Sequence, residues 1–288
     1  MQKSQFQDHQ LLSLAAVSNN ADLIDLLIQN GADPNAELNT NVDPNFPPAI
    51  FFAIESRNIE SVRALIKGKI QFQKLKDFSA LVSAINTLFF SAIPDLLEAG
   101  DNPLAMVKSK AIKDESYECP LSAACFAGEI AYDTISLILS KIPEDVDINP
   151  QLDCHGGVAH WIAQSNSAKI AKLFISRKFD PNILNPQKRT AVTSLLNRRI
   201  ELAEIIGILD VFYEKGLNIS KPYDTATFPF PPIMEVIRSP DERYQLDILK
   251  WFASKGIDLN MIVNIKGETL RQVVQKKKKL NAIFQPEQ

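Results

Sequence analysis

The chain has 288 residues, 45% hydrophobic and 23% charged, a balance that builds a packed globular protein rather than a disordered one. Its 31 basic and 34 acidic side chains leave a net charge of −3, which argues against broad electrostatic capture of nucleic acid or of an anionic membrane. No apolar run approaches the length of a membrane span, and the opening MQKSQFQDHQ lacks the apolar core of a secretory signal. Three cysteines, Cys119, Cys125 and Cys154, make no disulfide framework, so an intracellular, cytoplasmic setting is expected.

The chain opens with a unit that later stretches copy, LLSLAAVSNNADLIDLLIQNGADPN, residues 11–35. Leu11/Ala15 and Leu12/Ala16 are i,i+4 pairs and predict one apolar stripe on a first helix. Ser18-Asn19-Asn20 breaks it with turn and cap residues. Leu23/Leu27 and Ile24/Ile28 predict a second helix, which Gly31 closes through a left-handed C′ conformation. Asp33-Pro34-Asn35 then turns the chain away. A unit this small does not bury its own apolar faces, so it needs neighbours of the same kind.

The first-helix pattern starts at Gln10, and its counterparts are predicted at Pro48, Ser79, Cys119, Val158, Thr190, Pro231 and Glu268. Those starts are separated by 38, 31, 40, 39, 32, 41 and 37 residues, a loose repeat. The clearest copy is Cys119-Pro120-Leu121-Ser122-Ala123-Ala124-Cys125. Second helices follow in step: Val62, Leu65 and Ile66 end near Gly68, and Ile93, Leu96 and Leu97 end at Gly100. Ile135, Ile138 and Leu139 come next, then Ile170, Leu173 and Phe174. Ile205, Leu209 and Phe212 end at Gly216, and Ile248, Leu249 and Phe252 end at Gly256. The opening turn returns at Val146-Asp147-Ile148-Asn149, Phe179-Asp180-Pro181-Asn182 and Gly256-Ile257-Asp258-Leu259-Asn260.

On these residues the chain resembles the ankyrin-repeat family, whose unit of about 33 residues carries a Thr-Pro-Leu-His-x-Ala signature, two helices and a turn. Cys119-Pro120-Leu121-Ser122-Ala123-Ala124 matches the helix start and Gly31-Ala32-Asp33-Pro34-Asn35 the exit. The resemblance covers roughly residues 8–280, about seven divergent units, with a polar tail from Lys276 to Gln288. The signature histidine, which helps order the turn in the family, is replaced by Ser13, Phe51, Val82, Ser122, Trp161, Thr193, Met234 and Arg271. The resemblance implies an all-α ankyrin-repeat solenoid forming one domain over residues 1–288. It further implies a protein-binding role along a concave face of turn tips and first helices, and no enzymatic activity. Divergent arrays resembling this one also occur in bacterial effectors delivered into host cells.

Residues just before a helix start are the candidate partner contacts: Phe46, Tyr117, His155, Lys188, Arg189, Phe228 and Phe230. The aromatics among them sit in polar or proline-bearing connections rather than helical stripes, and aromatic side chains make good interface anchors. The competing chemistry is Cys154-His155, a thiol beside an imidazole, the minimum for a hydrolase-type nucleophile. A zinc site there would need Cys119 or Cys125 as well, and the repeat register places them too far away. Lys276–Lys279 reads as a solvated helix end, where cations meet the negative pole of the dipole. With no GxxxxGK[ST], HExxH or GxGxxG, no cofactor and no metal are expected, and the partner is another protein bound by a monomer.

Overall fold

Among the described residues the helices α1 to α14 come in consecutive pairs, and side-chain caps set where several of them begin. The computed structural model describes residues 2–36, 47–74, 78–108, 117–149, 156–220, 230–238, 245–264 and 266–277. They fall in two compact units, Met1–Pro143 and Glu144–Gln288.

The first unit contains α1 (Gln2–Val17), α2 (Ala21–Gln29), α3 (Ala49–Glu55), α4 (Ile59–Lys67), α5 (Ala80–Asn86) and α6 (Ile93–Glu98). A two-stranded antiparallel hairpin follows, β1 (Val107–Lys108) and β2 (Tyr117–Glu118), then α7 (Pro120–Ala127) and α8 (Tyr132–Ser140). The second unit contains α9 (Val158–Ser165), α10 (Ala168–Leu173), α11 (Ala191–Leu196) and α12 (Leu202–Glu214). It continues with α13 (Ile233–Arg238), α14 (Gln245–Ser254) and α15 (Leu270–Gln275).

First helices stack on first helices, α1 on α3, α3 on α5, α5 on α7, and separately α9 on α11 and α11 on α13. Second helices do the same, α2 on α4, α6 on α8 and α10 on α12. Small residues permit this spacing: Ala15, Ala16, Ala53, Ala84, Ala124 and Ala163 are all buried on first helices. Larger side chains fill the space between the two helices of a pair. Ile24, Leu65, Leu96, Ile135, Ile170, Phe212 and Phe252 are completely buried. Full burial of one such side chain contributes about 1.5–3 kcal/mol.

Helix starts follow sequence rules. The side chains of Asn20, Ser79, Ser167, Thr190 and Thr269 each accept the amide three residues on, a cap of about 1 kcal/mol. Cys119 does the same with its Sγ, and Ser122 Oγ accepts the Cys119 amide in return. At helix exits, Asp33, Asp147, Asp180 and Asp258 each accept the amide two residues later, closing one recurrent turn. Asn35 and Asn182 reach the following turn: Asn182 donates to Gly216 O at 3.0 Å and accepts from Asn218 N at 2.7 Å. These side chains carry the repeat register across units of different length.

Several expectations need correction. Helix α1 begins at Gln2, well before the predicted stripe, and Leu11 and Leu23 are exposed. Only Leu12, Ala15, Ala16 and Ile24 of those stripes are fully buried, because α3 and α4 cover one side of the α1–α2 pair. Helix α4 does end at Gly68, as expected, with Lys69 after it in the left-handed conformation. The helix caps also move two repeat starts by one residue, from Val158 to Gly157 and from Glu268 to Thr269. Residues 120–140 form a stretch apolar and helical enough to span a membrane by composition alone. In the fold it breaks at Gly128–Ala131 into α7 and α8, which pack on each other with half of the stretch buried.

Candidate functional site

The shift at Gly157 changes the reading of the fifth repeat. With Gly157 as N-cap, His160 rather than Trp161 occupies the third helical position, where the repeat signature carries its histidine. Trp161 is instead a completely buried core residue. His160 is buried too, and its Nε2 donates to the carbonyl of Arg189 at 3.0 Å. Arg189 immediately precedes Thr190, the N-cap of the next repeat. His9 does equivalent work one turn ahead of Ser13, donating from Nε2 to Pro47 O at 3.3 Å, again the residue before the next N-cap, Pro48. Burial holds the His9 imidazole below its usual pKa, against the pull of the Pro47 carbonyl and of Asp33. Two histidines therefore pin two inter-repeat turns.

Lys188 and Arg189 lie on a tight hairpin between α10 and α11, closed by a bridge between Leu184 and Thr190. Both are exposed. Tyr117 stands on β2, opposite Lys108 on β1, and is half-buried rather than displayed. Its neighbour Glu118 accepts from Asn86 Nδ2 at 3.2 Å, which ties the hairpin to the end of α5. Phe230 is also half-buried, its ring lying 4.0 Å from the Arg238 guanidinium carbon. Tyr117 and Phe230 are thus partly used by the fold itself. Phe46, His155 and Phe228 lie outside the described residues, as does Cys154.

Cys119 and Cys125, the remaining thiols, are buried. Cys119 caps α7, and complete burial pushes the Cys125 thiol far above its usual range. Neither presents the exposed thiolate that nucleophilic chemistry requires. Among the described residues no three His, Cys, Asp or Glu side chains gather as a metal site. In the Lys276–Lys279 run, Lys276 pairs with Glu268, and Lys277 Nζ donates to Ile237 O at 2.7 Å at the end of α13. Those two cations are structural; Lys278 and Lys279 lie outside the described residues.

Residues that the sequence pattern passed over define a groove on the first-helix face. Gln10, Ser13, Leu14 and Val17 of α1 and Phe52 of α3 line a cavity of about 320 Å³. Leu14 is 63% exposed and Val17 48% exposed. Ser13 is buried, and its hydroxyl has no hydrogen-bond partner among the described residues. Phe126 of α7 adds a further exposed aromatic to the first helices of this unit. The signal was present in the sequence: Leu14 sits off the stripe formed by Leu12, Ala15 and Ala16, so burial in the pair does not explain it.

Paired short helices, stacked first on first and second on second and joined by Asx turns and hairpins, define a helix-pair repeat protein. A family model described as ankyrin repeat matches residues 9–36. The crystal structure of the human ASB11 ankyrin repeat domain is similar with a TM-score of 0.57 at 14% identity, covering 83% of this chain and 96% of that one. No curated protein matches the chain in sequence. The chain has an ankyrin-repeat fold, and residues 9–36 carry the ankyrin-repeat sequence pattern. Ankyrin repeats in general mediate protein–protein interaction.

Proposed function

We propose that this chain is a protein-binding module that engages a partner polypeptide through its first helices and turn tips. One observation carries the reading: the open groove lined by Gln10, Leu14, Val17 and Phe52 on the first-helix face. Exposed apolar side chains lose water favourably when covered, at roughly 25 cal/mol per Å². The groove pairs apolar walls with the exposed polar side chain of Gln10, the kind of lining that fixes an apolar side chain and a neighbouring polar group of a guest. The packing of α1 on α3 and the His9 bond to the Pro47 carbonyl keep the face ordered beforehand, so docking costs little conformational entropy. An intracellular setting belongs to the same proposal and accords with two buried thiols that need no oxidation to be stable.

The test is affinity capture with the full chain beside a Leu14→Asp/Val17→Asp variant, read by quantitative mass spectrometry. Both positions are exposed, so the thermal midpoint of the variant stays within about 2 °C of the parent. The proposal expects the principal captured protein to fall at least tenfold, the effect of about 1.4 kcal/mol or more. Equal capture by both proteins would remove the groove from the binding face.

A further inference from the structure

We infer that the apolar groove between α1 and α3 takes a cationic amphipathic segment of the partner polypeptide, with Glu55 as the carboxylate that meets its charge; this deepens the protein-binding reading above and rests on it. Asn58 fixes the geometry. Its side-chain amide donates to the Ala16 carbonyl at 2.8 Å and to the Val17 carbonyl at 2.7 Å, so the C-terminal ends of α1 and α3 lie side by side. Glu55 stands three residues after Phe52 on α3, at the position in its repeat that Val17 holds in the first. It is exposed, and it makes no hydrogen bond or ion pair with any described residue, Arg57 included. The apolar wall of Leu14, Val17 and Phe52 is therefore bordered by an unanswered carboxylate.

Charge is segregated along the chain. Residues 4–56 hold seven Asp or Glu and none of the 31 Lys and Arg, so the rest of the chain is net positive although the whole is at −3. The histidine of that stretch, His9, is buried, which holds its imidazole below its usual pKa and neutral near pH 7. One of the seven acids is answered from outside the stretch: Asp25 of α2 pairs with Lys67 of α4 at 2.6 Å. Asp22 and Asp33, like Glu55, are exposed and have no ion pair among the described residues. The groove thus lies in a negative field that its own repeats leave largely uncancelled.

Those two features select the guest. A second copy that met this groove with its own first repeat would set acid against acid, and an acidic peptide would do the same. A basic segment without apolar residues would leave Leu14 and Val17 in water. A segment with leucine-sized side chains at helical spacing and Lys or Arg beside them satisfies both wall and rim. Its apolar residues cover Leu14, Val17 and Phe52, the way an amphipathic helix fills a groove, while a cation reaches Glu55. Arg would meet that carboxylate in two parallel hydrogen bonds and Lys as a compact charge.

The experiment measures fluorescence anisotropy of a labelled Leu/Lys peptide, amphipathic in helical register, against the full chain. A Leu/Glu peptide of the same pattern and a Ser/Lys peptide of the same charge are the comparison probes. The variants are Glu55→Lys, Leu14→Ala/Val17→Ala and, as the charge control, Glu98→Lys at the exposed end of α6. All change exposed residues, so their thermal midpoints stay within about 2 °C of the parent. The inference expects the Leu/Lys peptide to bind the tightest of the three. It expects Glu55→Lys and Leu14→Ala/Val17→Ala each to weaken that binding about tenfold, and Glu98→Lys by less than about twofold. Unchanged binding in Glu55→Lys would overturn it. So would equal or tighter binding of either comparison peptide, or an equal loss in Glu98→Lys. A parent that sediments as a dimer, with Leu14→Ala/Val17→Ala a monomer, would give the groove to a second copy and also overturn it. If Glu55→Lys has no effect while Leu14→Asp/Val17→Asp still loses its captured partner, the cationic guest is wrong and the protein-binding module stands.

Discussion

Asp101 is a carboxylate in a place built for a hydrocarbon. It follows Gly100 as Ala32 follows Gly31, Leu217 follows Gly216 and Ile257 follows Gly256, and all four residues are buried. Its Oδ2 accepts from Leu81 N at 2.8 Å in the first turn of α5, and its Oδ1 from Asn102 N at 2.9 Å. Desolvation nonetheless outweighs those bonds and raises its pKa from 3.8 to about 6. A carboxyl with a raised folded pKa favours the folded state most fully below the unfolded value, and that contribution is lost as pH rises through the folded value. Asp101 therefore contributes a stability loss of order 3 kcal/mol between about pH 4 and pH 6. In Asp101→Asn that component of the pH dependence disappears, as read from urea midpoints across the interval. An unchanged slope in the variant would show that Asp101 is ionised at no such cost.

At the same scale lie the residues that the sequence made legible and those it did not. The position of Lys188 and Arg189 just before a helix start is legible because it needs only approximate register. The histidine position reads as Trp161 in the sequence and falls on His160 in the structure, because the glycine pair ahead of α9 hides the cap. A Gly N-cap has no side chain to announce itself, unlike Ser79 or Thr190. His9 was missed as a turn-pinning residue because it stands one helical turn before the expected position. The two histidines make a direct prediction. His160→Ala removes a buried hydrogen bond and leaves the Arg189 carbonyl without it, at a cost of about 1–3 kcal/mol in chemical denaturation. A loss under about 0.5 kcal/mol would mean that the turn is set by its own four residues.

Among the elements, α10 and α12 approach each other closely at Gly207. A Cβ built on Gly207 of α12 falls 2.4 Å from the Cβ of Ala168, the first residue of α10. Glu204, one turn earlier, accepts the Ala168 amide and so fastens the start of one helix to the side of the other. In an exposed helix Gly→Ala stabilises by about 1 kcal/mol. Here the sign reverses, because neither Cβ moves without moving a helix. Gly207→Ala is expected to cost about 1–3 kcal/mol, and Ala168→Gly in the same chain to return part of it. A stabilised single variant would contradict this packing. Helix existence and pairing were readable from periodicity, since each second helix repeats apolar residues three and four apart. Helix faces were less so: Leu11 and Leu14 are as apolar as Leu12, and only the position of α3 decides which of them is buried.

For the molecule as a whole, the sequence carries the repeat architecture further than the identity of any contact. Repeats announce themselves because every unit must satisfy the same local rules of cap, stripe and turn. A binding face does not, because it consists of residues that those rules leave over, and exposed Leu14 and Val17, on which the proposed face rests, are of that kind. The central claim is that the first-helix face, not the second-helix face, meets the partner. Photo-crosslinking tests it most directly, with a benzophenone side chain placed at Leu14 of α1 or, for comparison, at exposed Lys67 of α4 in the same unit. The account predicts a discrete crosslinked partner from position 14 and none from position 67. A partner captured from position 67 alone would contradict it.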